Sequence, residues 1–100
     1  MQADYPPAFE REMAGTLQEW KARLPLAMGP VDWCWQGQSA VSARLSTGHA
    51  HIGWAPMPDR AIALMRLPRL FVQFRFEGVD DQTRLQFMKH FDLVMQRGGG

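Results

Sequence analysis

Apolar residues recur at helical spacing near both ends of the chain and at alternating spacing between them. Phe9, Met13, Leu17, Trp20 and Leu24 follow at steps of four, four, three and four, which predicts one face of a helix over residues 7–24. Pro6 and Pro7 suit its start, Glu10 and Glu12 suit its positive end, and Pro25 and Gly29-Pro30 mark its stop. Gly15 within it costs about 1 kcal/mol relative to alanine without breaking the pattern. Leu85, Met88, Phe91 and Met95, widened by Phe87 and Val94, predict a second helix over residues 80–96, capped by Asp80 or Asp81.

The middle of the chain reads as strands. Residues 31–36, 39–46 and 49–55 alternate, with turns at Gly37-Gln38 and Thr47-Gly48 and an end at Pro56 and Pro58. Residues 61–67 and 70–77 form a second hairpin around Leu67-Pro68-Arg69-Leu70, proline fitting position i+1 of the turn. That register sets Met65 against Val72, Ala63 against Phe74, Ala61 against Phe76 and Arg60 against Glu77. A short helix over residues 59–65 competes, because alanine, leucine and methionine are good helix formers. The expected fold is α+β: a two-layer sandwich of an N-terminal helix, an antiparallel sheet of about five strands and a C-terminal helix.

Register decides which side chains share a face. With two-residue turns, Cys34 faces Val41 and Trp33 faces Ser42, while His51 faces Arg44 and His49 faces Ser46. Cys34, Val41, Ala43, Ile52 and Trp54 then line the core, and Trp33, Trp35, Arg44, His49 and His51 share the opposite, polar face. A slip of one residue exchanges the two sets.

Composition narrows the classes without naming one. One hundred residues suit a single domain, with flexible ends at about 1–6 and 97–100. Eleven basic against ten acidic residues give a net charge of +1, so no global field recruits nucleic acid or membrane. One cysteine, Cys34, excludes an internal disulfide and cannot by itself fill a structural zinc site. The start carries Asp4 and no apolar run, so no secretory signal is read there, and the expected compartment is cytoplasmic. The most apolar stretch, residues 61–76, is interrupted by Arg66, Pro68, Arg69 and Arg75; no membrane partner and no cofactor are expected.

Three chemistries remain. Paired indoles on a sheet face suit a docking platform, which makes Trp33, Trp35, Arg44, His49 and His51 the candidate binding residues of a non-enzymatic interaction module. Its partner would be another protein or a second copy. Residues 60–76 carry four arginines, Arg60, Arg66, Arg69 and Arg75, and no acid, interleaved with Phe71, Phe74 and Phe76; this pattern offers an alternative in anion or single-stranded nucleic-acid binding. Within it Arg69-Leu70-Phe71-Val72-Gln73-Phe74 resembles the RNP1 strand of RNA-recognition motifs, but lacks that motif's glycine-aromatic-glycine part. His49 and His51 at His-x-His spacing offer two transition-metal ligands, with His90 the nearest third by type. No nucleophile motif, glycine-rich phosphate loop or placed carboxylate pair appears, so no catalytic residues are assigned.

Overall fold

A computed structural model describes residues 5–98. The elements in chain order are β1 (Ala8–Ala14), α1 (Leu17–Met28), β2 (Asp32–Trp35), β3 (Ala40–Arg44), β4 (His49–Ile62), β5 (Met65–Glu77) and α2 (Asp81–Gly98). All five strands pair antiparallel in the order β1-β5-β4-β3-β2. Both helices cover one side of this sheet, giving a two-layer α+β sandwich.

The predicted first helix divides into a strand and a shorter helix. Phe9 and Met13 lie four residues apart, a spacing in phase with a strand as well as a helix. Arg11 breaks the tie: Phe9, Arg11 and Met13 are half-buried while Ala8, Glu10, Glu12 and Ala14 are exposed. Gly15 then takes φ 126°, outside the helical region, and Thr16 caps α1. The Thr16 hydroxyl accepts from the Glu19 N–H at 3.1 Å, and the Glu19 carboxylate accepts from the Thr16 N–H at 3.0 Å. Pro25 falls inside α1 because buried Leu24, Ala27 and Met28 hold the last turn against the core. Asp80 caps α2, accepting from the Thr83 N–H at 2.8 Å.

The core lies between helices and sheet. From the sheet come Val41, Ala43, Ala50, Ile52, Trp54, Leu70, Val72, Phe74 and Phe76; from the helices come Trp20, Leu24, Met28, Phe87, Met88 and Phe91. Aromatic rings run through it edge to face, Trp20 meeting Trp54 at 5.6 Å and Phe91 at 5.8 Å, and Phe91 meeting Phe74 at 5.4 Å. One charged pair enters this layer, Arg11 of β1 with Asp92 of α2, and Tyr5 donates to the same carboxylate at 2.7 Å. Of the ends expected to be mobile, residues 1–4 and 99–100 lie outside the described residues. Tyr5 is buried, and α2 runs through residues 97 and 98.

The hairpin registers differ from expectation in three places. The β2–β3 loop holds three residues rather than two, since Gln36 N–H donates to the Ala40 carbonyl at 2.9 Å, and Gly37 supplies the positive φ of 70°. This one-residue slip sets Cys34 against Ser42 and Trp33 against Ala43. The β3–β4 turn moves to Ser46-Thr47, setting His51 against Ser42 and His49 against Arg44; a two-residue slip leaves faces unchanged. The β4–β5 turn moves to Ala63-Leu64, with Ile62 opposite Met65, so residues 59–62 are strand and Pro56 and Pro58 do not end it. Trp54 N–H donates across to Ser39, so by alternation the nitrogen of Pro56 points to the same edge where β3 has already ended and no hydrogen bond is lost.

Candidate functional site

The exchange of faces in β2 separates the predicted binding residues. Trp33 and Trp35 lie on the helix-facing side with Val41 and Ala43, whereas Arg44, His49 and His51 lie on the uncovered side. Trp33 packs edge-on against Trp35 at 5.4 Å, and Trp35 against Trp54 at 6.3 Å. The indoles therefore extend the core to the β2 edge, where Trp35 keeps 44% exposure. Partial burial of two large indoles outweighs burial of one thiol, which is why the three-residue loop wins.

Cys34 takes the polar side instead. Its Sγ accepts from Gln36 Nε2 at 3.2 Å and lies 3.6 Å from Ser42 Oγ, with the thiol exposed. The rung Cys34–Ser42–His51–Arg75 thus crosses four strands on the open face. His51 Nε2 sits 2.9 Å from Glu77 Oε1, and Arg75 Nη1 lies 3.4 Å from the same oxygen. Gly53, without a side chain, leaves a shallow depression of about 300 Å³ bounded by Gln36, His51, Gln73 and Arg75. Among the described residues no three His, Cys, Asp or Glu side chains are grouped to hold a metal ion. His90 lies in the helical layer on the other side of the sheet, donating from Nε2 to the Leu26 carbonyl at 2.9 Å.

The four arginines of residues 60–76 also divide. Arg69 donates from Nη1 to Glu12 at 2.8 Å and from Nε to the Pro58 carbonyl at 2.7 Å. That hydrogen bond holds the Glu12 carboxyl below its ordinary range. Arg75 is shared with Glu77. Arg60 and Arg66 are exposed, and among the described residues neither forms an ion pair.

Those two arginines belong to the feature that the sequence reading missed. Beyond Met57 and Arg69, β4 and β5 lose their outer neighbours and continue as a two-stranded arm, residues 58–68. β1 reaches only to the Gly15 N–H, which donates to the Pro68 carbonyl at 3.0 Å. Four of the eight exposed large apolar side chains among the described residues fall on this arm: Ile62, Leu64, Met65 and Leu67. Leu64, at the turn, is fully exposed. Its neighbour Ala63 takes φ 53°, where glycine or asparagine is the ordinary choice. The other four, Leu26, Trp35, Leu85 and Leu93, lie on the two helices and the β2 edge. The signal that could have revealed the arm is Arg60-Ala61-Ile62-Ala63-Leu64-Met65-Arg66, five apolar residues with an arginine at each end; the Pro68 turn signal concealed it.

No protein-family model matches this chain, nor does any curated protein or any solved structure. Among the described residues no helix is long and apolar enough to cross a membrane.

Proposed function

We propose that this protein is a small non-enzymatic interaction module that docks through its β4–β5 arm. One observation carries the reading: Ile62, Leu64, Met65 and Leu67 stand in solvent on an arm that contributes nothing to the core. Each exposed large side chain costs solvation without a folding return, and a turn made of Ala63-Leu64 lacks the residues that turn geometry favours. Contact with a partner supplies what folding does not. The arm replaces the Trp33/Trp35 platform, whose rings are engaged with Trp54 and the core edge.

Anion or single-stranded nucleic-acid binding is the second reading. It now rests on Arg60 and Arg66, because Arg69 and Arg75 already serve Glu12 and Glu77. Metal binding at His49 and His51 draws no support from the open face, where His51 is turned toward Glu77.

Photo-crosslinking in living cells tests the docking reading. A photoreactive side chain is placed at position 62, 64 or 65, and at the exposed helix positions Gln18 and Gln82 as controls. Adducts at the arm positions and none at the controls support it. Equal yields at all positions, or none at the arm, overturn it.

A further inference from the structure

We infer that the arm's partner is the surface of an anionic lipid bilayer, which the tip enters to interfacial depth; this rests on the docking reading above. Ala61 pairs with Arg66, Arg60 with Leu67, and Ile62 with Met65. Opposed residues in an antiparallel pair share a face, and successive residues alternate, so Arg60 and Arg66 stand on opposite faces of the ribbon. Ile62, Met65 and Leu67 lie on the Arg60 face, Ala61 on the Arg66 face, and Ala63 and Leu64 close the end. The large apolar side chains therefore gather on the Arg60 face and at the Leu64 end. The opposite face carries only Ala61 beside Arg66, and one cation stands behind the end on each face.

An apolar end with a cation behind it on each face matches an apolar layer roofed by anions, whose headgroups meet both arginines at once. Arginine suits the collar, because its stem lies along hydrocarbon while its guanidinium reaches the headgroup phosphates. The acids near Arg60 are Asp59, which precedes it, and Glu12, whose carboxylate feels its charge; both stand farther from the turn than Arg60. Depth agrees too. Arg60 stands three residues from Ala63 and Arg66 two from Leu64, about 10 and 7 Å at the rise of an extended strand, against roughly 5–10 Å for elements buried in the interface. The unpaired outer edges of the ribbon forbid deeper entry, since hydrocarbon would leave their N–H and C=O groups unsatisfied. The chain thus lies on the bilayer rather than crossing it, a contact that departs from the expectation of no membrane partner.

Flotation of the full chain with lipid vesicles tests this, using phosphatidylcholine alone and phosphatidylcholine mixed with phosphatidylglycerol. The wild type floats with the mixed vesicles and binds them roughly tenfold more tightly than the neutral ones. L64S/M65S loses flotation with both, and R60Q/R66Q loses the preference for the anionic mixture. Circular dichroism confirms that each variant is folded. Absence of wild-type flotation overturns the lipid assignment, as does flotation that survives L64S/M65S or a preference that survives R60Q/R66Q. A dimer abolished by L64S/M65S without any flotation overturns it in favour of a second copy. Protein-only adducts at position 64 in cells overturn it while leaving the docking reading standing; absence of arm adducts removes both.

Discussion

The Tyr5 hydroxyl donates to the Asp92 carboxylate across 2.7 Å, fastening the segment before β1 to the middle of α2. Burial first, then this hydrogen bond and the charge of Asp92, push the Tyr5 hydroxyl from 10.0 up to about 12. The native state therefore prefers neutral Tyr5. In the unfolded chain the phenol ionises near its ordinary value, so the unfolded state gains the phenolate first as pH rises. Stability attributable to Tyr5 is complete below pH ~10 and falls through the interval up to about 12. Tyr5 is the only tyrosine in the sequence, so phenolate absorption reads it directly. A native midpoint near 12 is expected, and Y5F removes this part of the alkaline decline. A native midpoint near 10 would contradict the buried hydrogen bond.

Asp92 also receives Arg11, whose Nη1 donates at 3.2 Å and whose Nη2 makes the closer contact. The guanidinium carbon of Arg11 lies 4.9 Å from the Phe74 ring centroid. D92A leaves that cation facing apolar neighbours and costs about 3 kcal/mol in urea denaturation. Replacing the pair and its donor together, as Y5F/R11M/D92L, restores most of the loss, because neither an uncompensated charge nor an unpaired hydroxyl remains. A D92A cost within about 0.5 kcal/mol would place the pair among exposed ion pairs of little consequence.

Cys34 reports the β2 register. On the open face it reacts with a disulfide reagent in the native state, at a rate within about tenfold of that in the unfolded chain. C34S changes stability by less than about 0.5 kcal/mol, whereas W33A costs about 2 kcal/mol through lost core contacts. A protected thiol together with a neutral W33A would restore the register with Trp33 on the polar face.

The two layers were legible because core spacing survives local errors, whereas the count of five strands matched only because the unread β1 replaced the strand expected over residues 61–67, which the β4–β5 hairpin absorbs. The alternation at residues 40–44 and 49–55 identifies the core side whether the turn sits at Thr47-Gly48 or Ser46-Thr47, since a slip of two preserves faces. The β2 assignment had no such protection. One extra loop residue moved Trp33 and Trp35 to the core side and Cys34 out, and the sequence Gly37-Gln38 does not distinguish the two loop lengths. The strand β1 hid behind the coincidence that Phe9 and Met13 satisfy both periods, although Thr16-Leu17-Gln18-Glu19 already carried the capping-box spacing of the true helix start. The arm was illegible for a different reason. Pro56, Pro58 and Pro68 read as strand breakers, yet Pro56 tolerates its place because its nitrogen faces an edge with no neighbour.

What the arm does for the protein depends on its apolar tip being surplus to folding. The urea denaturation midpoint of I62S/L64S/M65S tests this most directly. If the tip stands free for a partner, the variant unfolds within about 0.5 kcal/mol of wild type. A loss of more than about 2 kcal/mol, the scale of deleting core side chains, would make the arm part of the fold and remove it as the docking element.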